Sequence, residues 1–192
     1  MRKLSLFIPA AVILFTMCSQ SIWEKTDNGV IIKLKSVSSD IPRKMKLEII
    51  NDGIIHVVAS PGKNFSEGKS LCVIDRDNPE PFFNVKQEQD TLIVSTGRIT
   101  AKVSIVTGQV IFCDQNEKVI LSEKAGGGKS FAPVTVEGTA GYTFSQVFES
   151  PSEEAFYGLG QHQSDEFNYK GLNAGLYQYN TKVSVPFIVS NR

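Results

Sequence analysis

Lys44-Met45-Lys46-Leu47-Glu48-Ile49-Ile50-Asn51-Asp52-Gly53-Ile54-Ile55-His56-Val57-Val58-Ala59 is the stretch that decides the fold class. Met45, Leu47 and Ile49 alternate with Lys44, Lys46 and Glu48, which gives one apolar and one charged face, the period-two pattern of a half-buried strand. Asn51-Asp52-Gly53 supplies turn chemistry, and the β-rich residues 54–59 follow, so the stretch reads as a hairpin. Upstream, Val30, Ile32 and Leu34 oppose Lys33 and Lys35 in the same way. Downstream, residues 91–95 form a further strand pattern. Ile99, Ala101, Val103 and Ile105 then alternate with Arg98, Thr100, Lys102 and Ser104. Thr107-Gly108 turns the chain into residues 109–112, and residues 114–117 turn it again into residues 119–121. Val134, Val136 and residues 142–148 extend the series. Short strands at this spacing, with almost no helical periodicity between them, predict an all-β fold, an antiparallel β-sandwich or barrel.

One local helix signal stands apart. In Ser150-Pro151-Ser152-Glu153, the serine can cap, the proline suits the first helical position and Glu153 can reach back to the capping amide, which predicts one short turn. Beyond it the alternation stops. Residues 157–179 carry Gly158, Gly160, Gly171 and Gly175 among aromatics and amides, and read as a long glycine- and aromatic-rich loop region of the kind that carries function on a sandwich. Residues 183–189 read as a last strand, in which Pro186 indicates an edge or a bulge.

The chain has 192 residues with 20 Lys and Arg against 20 Asp and Glu, scattered evenly, so it has no basic footprint for nucleic acid or an anionic membrane. Arg2 and Lys3 precede an apolar run through Met17 that is short for a bilayer span, so residues 1–20 read as a signal peptide and residues 21–192 as the mature domain. The expected location is periplasmic or the cell surface. Cys18 stands where a lipoprotein signal places its lipidated cysteine, although Phe15-Thr16-Met17 lacks the usual small residue. Lipidation, the only membrane contact expected, and ordinary cleavage near residues 19–21 both remain open. Cys72 and Cys113 fit either one disulfide in an oxidising compartment or two small buried apolar residues.

Most chemical motifs fail on inspection. Gly128-Lys129-Ser130 resembles the end of a phosphate-binding loop, but Glu123 stands where that loop needs its first glycine, so Gly126-Gly127-Gly128 reads as a flexible loop. His56 and His162 have no partner at metal-ligand spacing, so no metal or other cofactor is expected, and there is no serine nucleophile elbow. Glu153-Glu154 and Asp165-Glu166 are sequence neighbours on one segment, whereas retaining glycoside hydrolysis needs two carboxyl groups about 5 Å apart converging across a cleft.

The informative segment is Ala155-Phe156-Tyr157-Gly158-Leu159-Gly160-Gln161-His162, followed by Phe167-Asn168-Tyr169-Lys170-Gly171, Gln178-Tyr179-Asn180 and Val185-Pro186-Phe187-Ile188-Val189-Ser190-Asn191-Arg192. The two glycines around Leu159 permit a tight backbone path, and the amides and aromatics that follow suit hydroxyl bonding and sugar-face stacking. A packed loop with incidental polar groups accounts for the same residues. As an ordered set they resemble the stretch that joins the N-terminal domain to the barrel in α-glucosidases and α-xylosidases of glycoside hydrolase family 31. Residues 96–121, with their turn at 114–118, resemble that family's galactose-mutarotase-like domain. Gln161-His162 stands in place of the acidic-basic pair common after the second glycine.

The resemblance implies a non-catalytic, carbohydrate-binding or supporting domain of an exported retaining α-glycosidase acting on oligosaccharides. The two catalytic aspartates of such enzymes lie in a (β/α)8 barrel of about 250 residues. No part of that barrel is in this sequence, so the missing barrel is the expected partner and the chain alone is expected to be inactive. It also implies that the loop after Gly160 helps to shape a substrate subsite, with Tyr179 and Asn180 matching the family's aromatic-Asn pair. By their amide, imidazole and aromatic groups, Gln161, His162, Tyr177, Tyr179 and Asn180 are expected to line it. A free-standing carbohydrate-binding surface lipoprotein is the alternative from another functional class.

Overall fold

In this computed structural model, residues 21–35, 38, 40–66, 68, 70, 73–74, 80–163 and 166–192 are described. The signal segment with Cys18, and Cys72 and Asp165, lie outside the described residues. The described residues form strands and no helix.

The alternating stretches form two antiparallel meanders. The first joins β1 (Trp23–Thr26), β2 (Gly29–Lys33), β3 (Lys44–Asn51) and β4 (Ile54–Ser60) in sequence order. The second joins β5 (Asn84–Glu88), β6 (Thr91–Ser95), β7 (Ile99–Ser104), β8 (Val110–Asp114) and β9 (Val119–Ser122), again in sequence order. Leu47 sits between Val30 and Val57, and Ala101 between Val94 and Phe112, so the apolar positions of neighbouring strands share a face. The two apolar faces meet in one core: Val30, Ile32, Met45, Leu47 and Ile49 from the first sheet against Leu92, Val94, Ala101, Val103, Ile105 and Val110 from the second. Fully burying one such side chain contributes about 1.5–3 kcal/mol, so this contact dominates the stability of the sandwich.

Polar ties close the rim, the Lys35–Asp90 ion pair among them. Trp23 Nε1 donates to Gln87 Oε1 at 2.8 Å, Lys35 N to Ile105 O at 2.9 Å, and Thr96 Oγ1 to Asp52 O at 2.5 Å. The predicted turns are present. Gly53 N bonds Asn51 Oδ1 at 2.9 Å, with a register shift between Ile49 and Asn51. Asp114 Oδ1 accepts from the amides of Asn116 and Lys118. His56 is satisfied by donating to Glu48 Oε2 at 2.8 Å. The same carboxylate pairs with Lys46. Burial works to raise the Glu48 pKa, but the hydrogen bonds from Lys46 and His56 outweigh it and the net shift is downward. Cys113 is a buried free thiol on β8.

Two ribbons follow. β10 (Lys129–Val136) pairs with β11 (Thr139–Gln146), and β12 (Phe156–Gln161) pairs with β13 (Val183–Ser190). Lys129 and Ser130 therefore open a strand. Gly128 is packed rather than loose, because a Cβ there would stand 2.5 Å from Val147 O. Lys129 is 7% exposed and pairs with the carboxylate of Glu123, 3% exposed, whose other oxygen accepts from Val110 N at 3.0 Å. Burial pushes the Lys129 ammonium pKa down, against the opposing pull of Glu123. This pair fastens the first ribbon to the edge of the second sheet.

The short turn at residues 150–153 forms without the capping box and does not go on into a helix. Glu154 N reaches Pro151 O at 3.2 Å in a single non-helical turn, and Glu153 accepts from Ser152 Oγ instead of capping. The next amide, Ala155 N, is taken by Asn191 Oδ1 at 2.9 Å, which commits the chain to β12 before a helix can propagate.

Lys129→Met leaves the Glu123 carboxylate buried without its counter-ion. We expect a loss of about 3–5 kcal/mol in urea unfolding. Lys129→Met combined with Glu123→Leu should recover part of that loss, which a double-mutant cycle reads directly.

Candidate functional site

The site region is built on the β12–β13 ribbon, whose geometry explains why it carries no alternation. Gly158, Leu159 and Gly160 lie consecutively at φ 117, 64 and 99°, in or near the left-handed region. A Cβ at Gly158 would stand 2.6 Å from Phe187 O, and one at Gly160 would stand 2.1 Å from Val183 O. Only glycine permits both the φ and the approach. The register jumps from Gly158 opposite Ile188 to Gly160 opposite Ser184, which leaves Pro186 inside a bulge of β13. Proline is tolerated at such a place because no ladder amide is needed there. The first part of the expected loop region, residues 157–161, is therefore a strand. Its left-handed kink erases the period-two pattern by which strands are read.

Side chains from the marker motifs hold this ribbon. Asn168 Oδ1 accepts from Phe156 N at 2.9 Å and from Lys170 N at 3.0 Å. Asn191 accepts from Ala155 N through its side chain, and its own amide donates to Ala155 O at 3.2 Å. Glu154 accepts from Ser190 Oγ at 2.6 Å and from Ser150 Oγ at 2.7 Å, and these two hydrogen bonds hold its pKa below the ordinary value. The Ser152 hydroxyl does the same for Glu153. Both neighbours are thus ionised acceptors rather than an acid and base pair. Lys170 donates to Pro151 O at 2.5 Å, and Arg192 Nη2 to Val119 O at 3.3 Å on the edge strand β9. Sequence reasoning missed these clamps. The available signal was the pair of asparagines, one on each side of the glycine-rich segment.

Between β12 and β13, residues 162–163 and 166–182 border an open groove of about 280 Å³, lined in part by His162, Gln163, Tyr169, Asn173, Tyr179 and Lys182. His162 donates from Nε2 to Leu159 O at 2.6 Å, with its ring 6.2 Å from that of Tyr169. Tyr177 and Tyr179 stack at 5.4 Å and 15°. Lys182 lies 4.5 Å over the Tyr177 ring and donates to Gly175 O at 3.1 Å. Asn180 sits at the tip of a tight turn closed by Lys182 N to Tyr179 O at 2.9 Å. Of the five expected subsite residues, His162 and Tyr179 line the groove and Tyr177 supports Tyr179. Gln161 ends β12 and Asn180 is exposed at the turn, and neither is among the lining residues. Glu166 is the one carboxylate of the lining among the described residues. Aromatic faces, amides and a lysine suit neutral polyhydroxy ligands. Among the described residues no cluster of three or more His, Cys, Asp or Glu is placed to hold a metal.

Residues 44–192 match the glycosyl hydrolase 31 N-terminal galactose mutarotase-like domain. The chain belongs to glycoside hydrolase family 31. The family 31 α-xylosidase of Xanthomonas citri superimposes with a TM-score of 0.77 at 38% identity, over 86% of this chain and 18% of that one. A family 31 α-xylosidase from a soil metagenome, solved with xylose, gives 0.66 at 25% identity, over 88% of this chain and 26% of that one. An α-xylosidase of Saccharolobus solfataricus is 27% identical over 157 residues, 77% of this chain and 21% of that protein. The chain thus spans about a fifth to a quarter of the length of these family 31 relatives.

Gly160→Ala places a Cβ against Val183 O at a φ alanine avoids. Backbone strain alone costs about 1–3 kcal/mol. We expect a loss of at least that size in denaturant unfolding, together with faster proteolysis of the 162–182 segment.

Proposed function

We propose that this chain is the non-catalytic N-terminal sandwich of an exported retaining α-glycoside hydrolase of α-xylosidase or α-glucosidase type. In this reading it supports a (β/α)8 barrel and lends the 162–182 segment to a subsite for an oligosaccharide. The observation that carries the reading is the groove beside the stacked Tyr177 and Tyr179, held on a glycine-kinked ribbon inside a domain that family 31 enzymes share. Its likeness to the α-xylosidases of Xanthomonas citri, a soil metagenome and Saccharolobus solfataricus supports the α-xylosidase type. Export, with or without a lipid on Cys18, rests on the charged and apolar character of residues 1–20.

The chemistry follows a division of labour. Retaining hydrolysis requires two converging carboxyl groups. Glu153 and Glu154 are committed to serine hydroxyls, so this domain binds and orients while the barrel supplies nucleophile and acid/base. The purified chain should show no turnover of aryl α-xylosides or α-glucosides. Turnover that persists after contaminating hydrolases are removed would refute the division. Mass spectrometry of the exported protein, reading whether its mature N-terminus is a lipidated Cys18 or a residue near 19–21, tests the location.

Tyr179 is the most direct probe of the subsite. With the domain fused to the catalytic portion of the Xanthomonas citri relative, Tyr179→Ala should lower kcat/KM by one to two powers of ten, about 1.4–2.7 kcal/mol. Thermal stability should change little, because the ring is 53% exposed. A large stability loss with unchanged efficiency per folded molecule would show that Tyr179 is a packing residue.

A further inference from the structure

The β10–β11 ribbon has two unlike edges. Val147 N donates to Gly128 O at 2.7 Å, which sets the alternation of the ladder, and the Glu137-Gly138 turn closes it at φ 48 and 80°. Counting by twos, Phe131, Pro133 and Thr135 on β10, and Ala140, Tyr142 and Phe144 on β11, turn their main-chain groups outward. On β10 that edge is blunted: Phe131 N is taken by Asp40 O at 2.8 Å, and Pro133 has no N–H to offer. On β11 nothing blunts it. Thr139–Gln146 contains no charge, no proline and no register shift, and among the described residues its outward amides make no main-chain bond. Natural sheets protect free edges with those very devices, so an unprotected eight-residue edge is one that takes a strand.

The faces agree. Directly paired residues share a face, which puts Phe131, Phe144, Pro133 and Tyr142 together, with Tyr142 and Phe144 left 55% and 54% exposed. An isolated two-stranded ribbon is marginal in water, and uncovered aromatics of this size mark a contact. The rings are inclined at 87° and 46° to Phe131, which suits interdigitated protein side chains better than the flat face of a sugar.

We propose that β11 is an acceptor edge to which a strand from the rest of the family 31 enzyme adds, covering Tyr142 and Phe144. The partner rests on the functional reading above. It is favoured by the 18–26% span of the aligned solved relatives and by where the exposed apolar residues fall. Most of the exposed large apolar residues, Ile120, Tyr142, Phe144, Phe187 and Ile188 among them, lie on or after β9, the last edge strand of the second sheet, whereas Ile54, Val73, Ile74, Phe82 and Val106 are exposed before it.

The test compares amide exchange across residues 139–146 in the 192-residue chain and in a chimaera. In the chimaera this domain replaces the matching segment of the Xanthomonas citri α-xylosidase, and the same readout is taken with the rest of that enzyme added in trans. The outward amides of Ala140, Tyr142 and Phe144 should exchange freely in the chain alone and slow by about 100-fold when the partner is present. Ala140→Pro removes one outward donor, as Pro133 does on β10. It should leave unfolding of the chain alone unchanged and abolish the added protection. Absence of protection in both formats, or protection that survives Ala140→Pro, overturns the proposal. Protection in the chain alone that disappears on dilution also overturns it and assigns the edge to a second copy. Aryl α-xyloside turnover by the chimaera is read separately: protection without turnover defeats the functional reading and leaves the acceptor edge standing.

Discussion

Everything in this domain hangs on the contact between two apolar sheet faces. Val30, Ile32, Met45, Leu47 and Ile49 meet Leu92, Val94, Ala101, Val103, Ile105 and Val110, all but Ile49 with no exposed surface and Ile49 with 2%. A face of this kind tolerates no slip of register, because a shift by one residue would turn lysines inward and the core outward. The rim ties at Trp23, Lys35 and Thr96 then fix the sheets at points where water would otherwise compete for the main chain. The ribbons beyond β9 have no comparable core. They are held by specific polar clamps: the buried Glu123–Lys129 pair, the two asparagines and the carboxylate of Glu154.

That contrast sets how much could be read in the sequence. Where burial holds a strand, alternation is visible, and β2, β3, β6 and β7 follow the stretches expected of them. Two edge strands were invisible for the same reason. β1 and β5 bury no full face, so Glu24, Lys25, Lys86 and Glu88 show no pattern to detect. β12 escaped because a strand through three consecutive left-handed or near-left-handed residues points its side chains where a period of two does not. The cap-like Ser150-Pro151-Ser152-Glu153 gives its turn without the cap because local capping chemistry is cheap and long-range clamping by Asn191 overrides it.

The candidate site was legible in type and only partly in membership. The glycines around Leu159 announced a tight path, and the close approach of Phe187 O and Val183 O is the reason. Which of the downstream aromatics and amides face a common groove depends on the turn at Asn180-Thr181 and on Lys182 reaching back over Tyr177, neither of which has a sequence signature. The same limit applies to Ser190, Asn191 and Arg192. As a motif they mark the family. As side chains they tie the last strand to Glu154, Ala155 and the edge of the second sheet.

The two sheets are plain meanders, each strand bonded to the one before it. A chain made N-terminus first therefore always finds the partner of its newest strand already synthesised. Each sheet can grow hairpin by hairpin, while the apolar face of the first waits for the second before the shared core can close. The β12–β13 ribbon is the exception: its strands are separated by the whole 162–182 segment, so its closure comes last in the order of synthesis. The order in which the strands find their partners is thus written into the connectivity, with the β12–β13 ribbon closed after the sheets that carry it.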